Sequence, residues 1–170
     1  MTNAPSPRPP QSGIDPRSPR FGAAITAALL LLVVGVSVTH ALGDSPARRA
    51  VEPGFILFAI VTALFGWGAF AGVRRHPYGL LFTTLLRPRL SPPTHREDPK
   101  PPTFAQGVGF AIGLSGLVLH LAGLPYALAV AASLAFIAAF LNAVFGFCLG
   151  CHIYLLLARA RARGARGAAA

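Results

Sequence analysis

The chain has 170 residues, 54% of them hydrophobic and only 12% charged, and fifteen Lys and Arg face five Asp and Glu for a formal charge of +10. A typical soluble domain is roughly 25% charged, so the polar surface of a soluble enzyme, or of a nucleic-acid binder with one basic face, is missing. A mean hydropathy of +0.58 with long uncharged runs points to a membrane protein.

Residues 1–20 hold six prolines and no apolar periodicity, which predicts a disordered arm. Phe21 to Leu42 is the first uncharged run. Its 22 residues reach roughly 33 Å as a helix, enough for a ~30 Å hydrocarbon core. It exceeds the ~7–15-residue apolar stretch of a cleaved signal peptide, so an uncleaved helix is expected. Pro53 to Val73 and Thr103 to Gly123 supply further spans of 21 residues each, and Pro125 to Leu157 a fourth without acids, Lys or Arg. Such runs are too long and unalternating for barrel strands, and lipid leaves open backbone without partners, so helices are predicted.

Between the second and third spans, Tyr78 to Leu86 is apolar but too short to cross. It reads as a helical turn or two lying in the cytoplasmic interface. Pro92, Pro93, Pro99, Pro101 and Pro102 are then expected to exclude regular structure before the third helix. The fold class is all-α: a polytopic membrane protein with four transmembrane helices and a short cytoplasmic interfacial segment, over residues 21–158, followed by a basic tail, 159–170. Glycines four apart (Gly68 and Gly72, Gly109 and Gly113, Gly146 and Gly150) would let helices approach closely in lipid.

Loop charge sets the orientation. Arg8, Arg17 and Arg20, six bases between Arg74 and Lys100, and Arg159, Arg161, Arg163 and Arg166 make thirteen on one side, against Arg48 and Arg49 on the other. Both termini are therefore expected in the cytoplasm of a multi-pass cell-membrane protein. No acid or base lies deep in a span, which disfavours an ion-coupled carrier. His40 and His120, near the outer helix ends, read as locally hydrogen-bonded histidines.

The only two cysteines stand in Phe147-Cys148-Leu149-Gly150-Cys151-His152. On one continuous helix Cys148, Cys151 and His152 share a face. That face lies almost opposite the stripe of Ala135, Ala139, Asn142, Gly146 and Gly150. Four readings compete. The pair is a redox or sulfur-handling dithiol; a zinc or copper site with His152 and His76; a c-type haem attachment motif; or two small apolar residues packed in a helix. Haem attachment takes place outside the cytoplasm, and Met1 is the only methionine, so the haem reading fits poorly. On the reducing side of the membrane a permanent disulfide is disfavoured. No cofactor is expected.

Gly13-Ile14-Asp15-Pro16-Arg17 with Arg20-Phe21, Arg87-Pro88-Arg89-Leu90, Glu97-Asp98 with Pro101-Pro102 and Phe104-Ala105-Gln106, and Asn142 through Cys151 together resemble a bacterial integral-membrane family of unknown function, the domain of unknown function numbered forty-three ninety-five. The resemblance covers about residues 13–158. It implies a role near thiol redox or sulfur metabolism, beside thioredoxin-like or rhodanese-like cytoplasmic proteins. It also implies that Asp15, Arg17, Arg20, Arg89, Glu97, Asp98 and Asn142 matter, with an Asp15 or Glu97 pairing to Arg17 or Arg89 roofing the dithiol. The expected function is a thiol-redox component of the lipid bilayer with no nucleic-acid partner. The alternative is a non-enzymatic transporter subunit or scaffold with structural cysteines.

Overall fold

The first helix begins where a carboxylate can satisfy an orphan amide. In the computed structural model, which describes residues 13–167, the Arg17 amide donates to Asp15 Oδ1 at 3.0 Å and α1 runs Arg17–Thr39. The helix starts ahead of Phe21 because the Asp15 carboxylate takes up an unpaired N–H of its first turn. Residues 13–20, expected within a disordered arm, are thereby ordered; the rest of that arm, 1–12, lies outside the described residues. Ser45 accepts from the Arg48 amide at 3.4 Å to cap the short α2, Pro46–Ala50. In α3, Pro53–Phe70, a proline occupies the first turn, where no N–H is needed.

Gly72, at φ +83°, then turns the chain in a conformation glycine adopts readily. A 3-10 turn at Val73–Arg75 leads to α4, Pro77–Leu81, which runs on through a π turn, Phe82–Leu86, into a further 3-10 turn, Arg87–Arg89. The helical turns expected over 78–86 are present. Phe82 is buried, its ring 5.9 Å from Phe21 of α1, while Leu80, Leu81 and Leu85 are exposed. One face of the segment is thus pinned to the bundle and the other is left apolar.

The prolines before the third span do not delay it as expected. α5 runs Lys100–Leu121, with Pro101 and Pro102 in a first turn whose amides have no helical partner, and Asp98 accepts from the Lys100 amide at 2.9 Å. The expected single helix over 125–157 is two: α6, Ala127–Phe145, and α7, Leu149–Gly167. Gly146 at φ +67° ends α6, its amide donating to Asn142 O at 3.0 Å. A left-handed glycine closes a helix in this way because it reverses the chain without a Cβ clash. α7 carries the basic tail as helix as far as Gly167; residues 168–170 lie outside the described residues.

α1, α3, α5 and α6 are long and apolar enough to cross a membrane. They form a ring in which α1 packs on α6 and α3, and α5 packs on α3 and α6. Leu30 and Val33, Phe58 and Val61, Leu117, and Leu128 with Ala131, Ala132 and Ala135 meet at its centre. Leu31, Ile60, Leu114 and Ile137 point outward and are exposed, as lipid-facing residues of an apolar bundle are. Ile14 and Glu97 exchange backbone hydrogen bonds of 3.0 Å, and Arg17 donates to Ser91 O at 2.9 Å. These bonds, with Arg20 on the end of α6, gather the N-terminal turn, the long connection and the α6–α7 junction at one end, the basic end.

Helix packing in lipid relies on close contact rather than on the hydrophobic effect, and α5 provides it with glycine. A methyl group at Gly116 would come 2.5 Å from Ala131 Cβ and 3.0 Å from Phe58, and one at Gly109 would come 2.7 Å from Phe65. Gly113 lies against Thr62, and Gly68 of α3 against Gln106. Gly72 and Gly146 of the expected pairs serve turns instead, both at positive φ. Gly116→Val is therefore expected to destabilise by about 1–3 kcal/mol through overpacking. Gly35→Ala, with nothing within 4 Å of the added methyl, should stabilise by roughly 0.5–1 kcal/mol. Thermal unfolding in detergent reads both; equal effects would deny the close α5–α6 contact its role.

Candidate functional site

The α6–α7 junction places the two cysteines differently from any continuous helix. Cys148 is the N-cap of α7: its carbonyl accepts the His152 amide at 3.1 Å, and its Sγ accepts the Cys151 amide at 3.3 Å. Cys151 lies one turn inside, and the two sulfurs are joined in a disulfide with Cα atoms 5.2 Å apart. The pair, expected as a redox dithiol with no permanent disulfide, is in its bonded form here, because a C-x-x-C on a helical first turn brings the sulfurs within reach. His152 does not approach them as a ligand. Its Nδ1 sits 2.9 Å from Cys148 O and its ring 4.4 Å from that of Phe147.

Arg20 holds the junction from across the bundle. Its guanidinium donates to the carbonyls of Ala143 and Val144 at 3.4 and 3.3 Å, satisfying acceptors left over where α6 stops. Gly150 brings α7 against α5, where a Cβ would lie 2.5 Å from Ala105 Cβ. The break also overturns the helical-wheel expectation. Asn142 and Gly150, expected opposite the dithiol, line the same cavity as Cys148, a space of about 280 Å³ between α1, α5, α6 and α7. Thr26, His76, Tyr78 and Gln106 line it as well.

His76, considered beside the cysteines as a metal ligand, is committed elsewhere. It is buried, with Nε2 3.1 Å from Leu64 O and Nδ1 accepting the Tyr78 amide at 3.2 Å. Burial pushes its imidazole below the ordinary range, against the Leu64 bond, so the neutral ring is favoured. Among the described residues no three His, Cys, Asp or Glu side chains come together as a metal site. Burial likewise pushes the Tyr78 phenol up. The Thr26 hydroxyl beside it opposes this shift, though Tyr78 Oη, itself buried, makes no hydrogen bond of ordinary geometry.

The polar residues of the basic end divide into those that pair and those that do not. Asp15 and Arg17 form a two-pronged ion pair, Nε to Oδ1 at 3.0 Å and Nη2 to Oδ2 at 2.8 Å, with the Asp15 side chain buried. Ile14 and Ser18 on either side line the Cys148 cavity, so this turn closes part of its basic end. Glu97 does not pair with Arg89. It engages Ile14 through its backbone, and its carboxylate lies 3.7 Å from His95. Asp98 caps α5.

One cluster escaped the sequence reading. At the other end of the bundle the buried His120, expected to bond locally, sets Nε2 3.1 Å from Glu52 Oε2 and stacks on Phe55. Glu52 also accepts the Gly43 amide at 2.8 Å, while Arg49 donates to Gly43 O and Leu121 O at 2.7 and 3.0 Å. The available signal was Glu52, an acid at the mouth of an otherwise uncharged span.

The Arg17 hydrogen bond holds the Asp15 carboxyl below the usual carboxylate range, with burial opposing it. A lowered carboxyl contributes stability above its unfolded pKa of about 3.9 and loses it as pH falls through the folded value. Asp15→Asn is therefore expected to cost about 1–3 kcal/mol at neutral pH. The gap to wild type should close as the pH falls below about 4. Unfolding curves of both proteins at pH 7 and pH 3 measure it, and a constant gap would show that the charge pair is not the cause.

No curated protein and no solved structure matches the chain. A family model described as Domain of unknown function (DUF4395) matches residues 14–159, a stretch holding the Asp15 turn, all four spans, the cavity and both cysteines. The chain belongs to that family.

Proposed function

We propose that Cys148 and Cys151 cycle between dithiol and disulfide, exchanging electrons with a soluble thioredoxin-like or rhodanese-like protein at the cytoplasmic face. The observation that carries this reading is Cys148 Sγ at the N-cap of α7, accepting the Cys151 amide. A helix N-terminus and a directed N–H both favour the thiolate. Arg20, whose guanidinium lies 3.7 Å from a Cβ built at Gly146, adds positive charge nearby. Cys148 is thus the attacking thiol and Cys151 the resolving one. In the reduced state the Cys148 thiolate attacks the partner's disulfide and releases one partner thiolate. Cys151 then attacks the Cys148 sulfur, closing the disulfide and freeing the partner as a dithiol. Two electrons pass to the partner, and the reverse sequence recharges the pair. Thirteen of the fifteen bases lie in the segments of the basic end, which supports the cytoplasmic assignment.

In inside-out vesicles, reduced Cys148 is expected to react with a charged maleimide with a half-titration at lower pH than an ordinary thiol's. Cys148→Ser should abolish that phase, whereas Cys151→Ser should preserve it and trap a mixed disulfide with the partner. Cysteines inert after reduction, or a Cys148 that titrates no lower than an ordinary thiol, would leave the pair as a structural staple of the α7 turn.

A further inference from the structure

The cavity lined by Cys148 has features that this exchange with a soluble protein does not use. Its walls are the apolar faces of spanning helices, with Ile112, Leu134 and Ala139 among them. A water-borne ligand would have to shed its hydration to enter. Its volume of about 280 Å³ lies near the lower end of ligand pockets, ~300–1,000 Å³, room for one substituted ring and not for a long chain. Among the lining residues a few can hydrogen-bond: Gln106, Asn142 and Tyr78, whose Oη is buried beside the Thr26 hydroxyl with no hydrogen bond of ordinary geometry. An orphaned hydroxyl in a bundle interior is costly unless a ligand or water completes it. Of the two cysteines, only Cys148 is among the lining residues.

We propose that this cavity binds the ring of a lipid-soluble p-quinone and that the reduced Cys148–Cys151 pair delivers two electrons to it. The inference rests on the redox reading above run in its reverse direction: a partner dithiol reduces the pair, and the quinone is the oxidant that restores the disulfide. The chemistry balances without a third reactant. The Cys148 thiolate adds to a ring carbon, and Cys151 attacks the Cys148 sulfur. The S–S bond forms as the C–S bond breaks, leaving its electron pair on the ring. The two thiol protons end on the quinone oxygens as quinol. Quinone carbonyls accept hydrogen bonds, and the Tyr78 hydroxyl and the two amides supply donors. The flat, apolar ring suits walls of Ala, Ile and Leu.

The full chain in phospholipid nanodiscs, reduced and freed of reductant, is mixed with a short-tailed ubiquinone analogue while quinol and free thiols are followed together. One quinol per thiol pair lost is expected. Ala139→Phe, which fills the cavity, should slow quinol formation at least tenfold with an unchanged unfolding transition. Tyr78→Phe should raise the half-saturating quinone concentration roughly three- to tenfold, the worth of one hydrogen bond. Thiols that exchange with oxidised glutathione but form no quinol overturn this inference and leave the redox reading standing. Thiols inert to both oxidants remove the two together. Quinol formed at the wild-type rate by Ala139→Phe overturns the cavity assignment; should that variant unfold, an unchanged half-saturation in Tyr78→Phe does so.

Discussion

A helix that stops leaves its last carbonyls without helical partners, and the placement of the dithiol depends on how α6 meets this. Gly146 turns left-handed and returns its amide to Asn142, while Arg20 reaches across from α1 to the carbonyls of Ala143 and Val144. Those acceptors are met where the chain leaves the helix. The turn then restarts α7 at Leu149, which makes Cys148 a helix cap and not a mid-helix residue. Without the break, the cysteines would lie on the face away from Asn142. With it, Cys148 and Asn142 share a cavity.

That cavity exists because the bundle is tight where glycine and alanine meet and loose where the chain changes direction. Around Gly116, Ala131 and Ala132 no room remains. Toward the basic end α6 stops, α7 packs on α5 through Gly150, and α4 packs on α1. Between these elements and the ends of the spans the cavity is left unfilled. The polar groups that face it come from separate parts of the chain: Thr26 from α1, Tyr78 from the interfacial segment, Gln106 from α5 and Asn142 from α6.

The four spans were legible because membrane-length apolar runs admit one regular structure, and the C-x-x-C was legible as the only pair of thiols. Helix ends were less so. Pro101 and Pro102 look like breakers in a one-dimensional reading, yet a proline in the first turn lacks an N–H that would have had no partner. Gly146 and Gly150 look like one packing motif, whereas the first serves φ and the second serves contact with Ala105. The Glu52–His120 pair was hidden because its members are 68 positions apart in sequence, and the sequence alone does not show which interfacial groups face inward.

Composition, run length and the asymmetry of fifteen bases determined by themselves that this is a helical membrane protein with a distinct basic end. Those properties follow from solvent: hydrocarbon demands self-satisfied backbone, and charge stays out of it. Tertiary structure decided where α6 stops, which sulfur caps a helix, and which polar groups share a cavity with it. Each of these turns on contacts between residues distant in sequence, such as Arg20 with Val144 or Gly150 with Ala105, and periodicity along a single chain does not encode them.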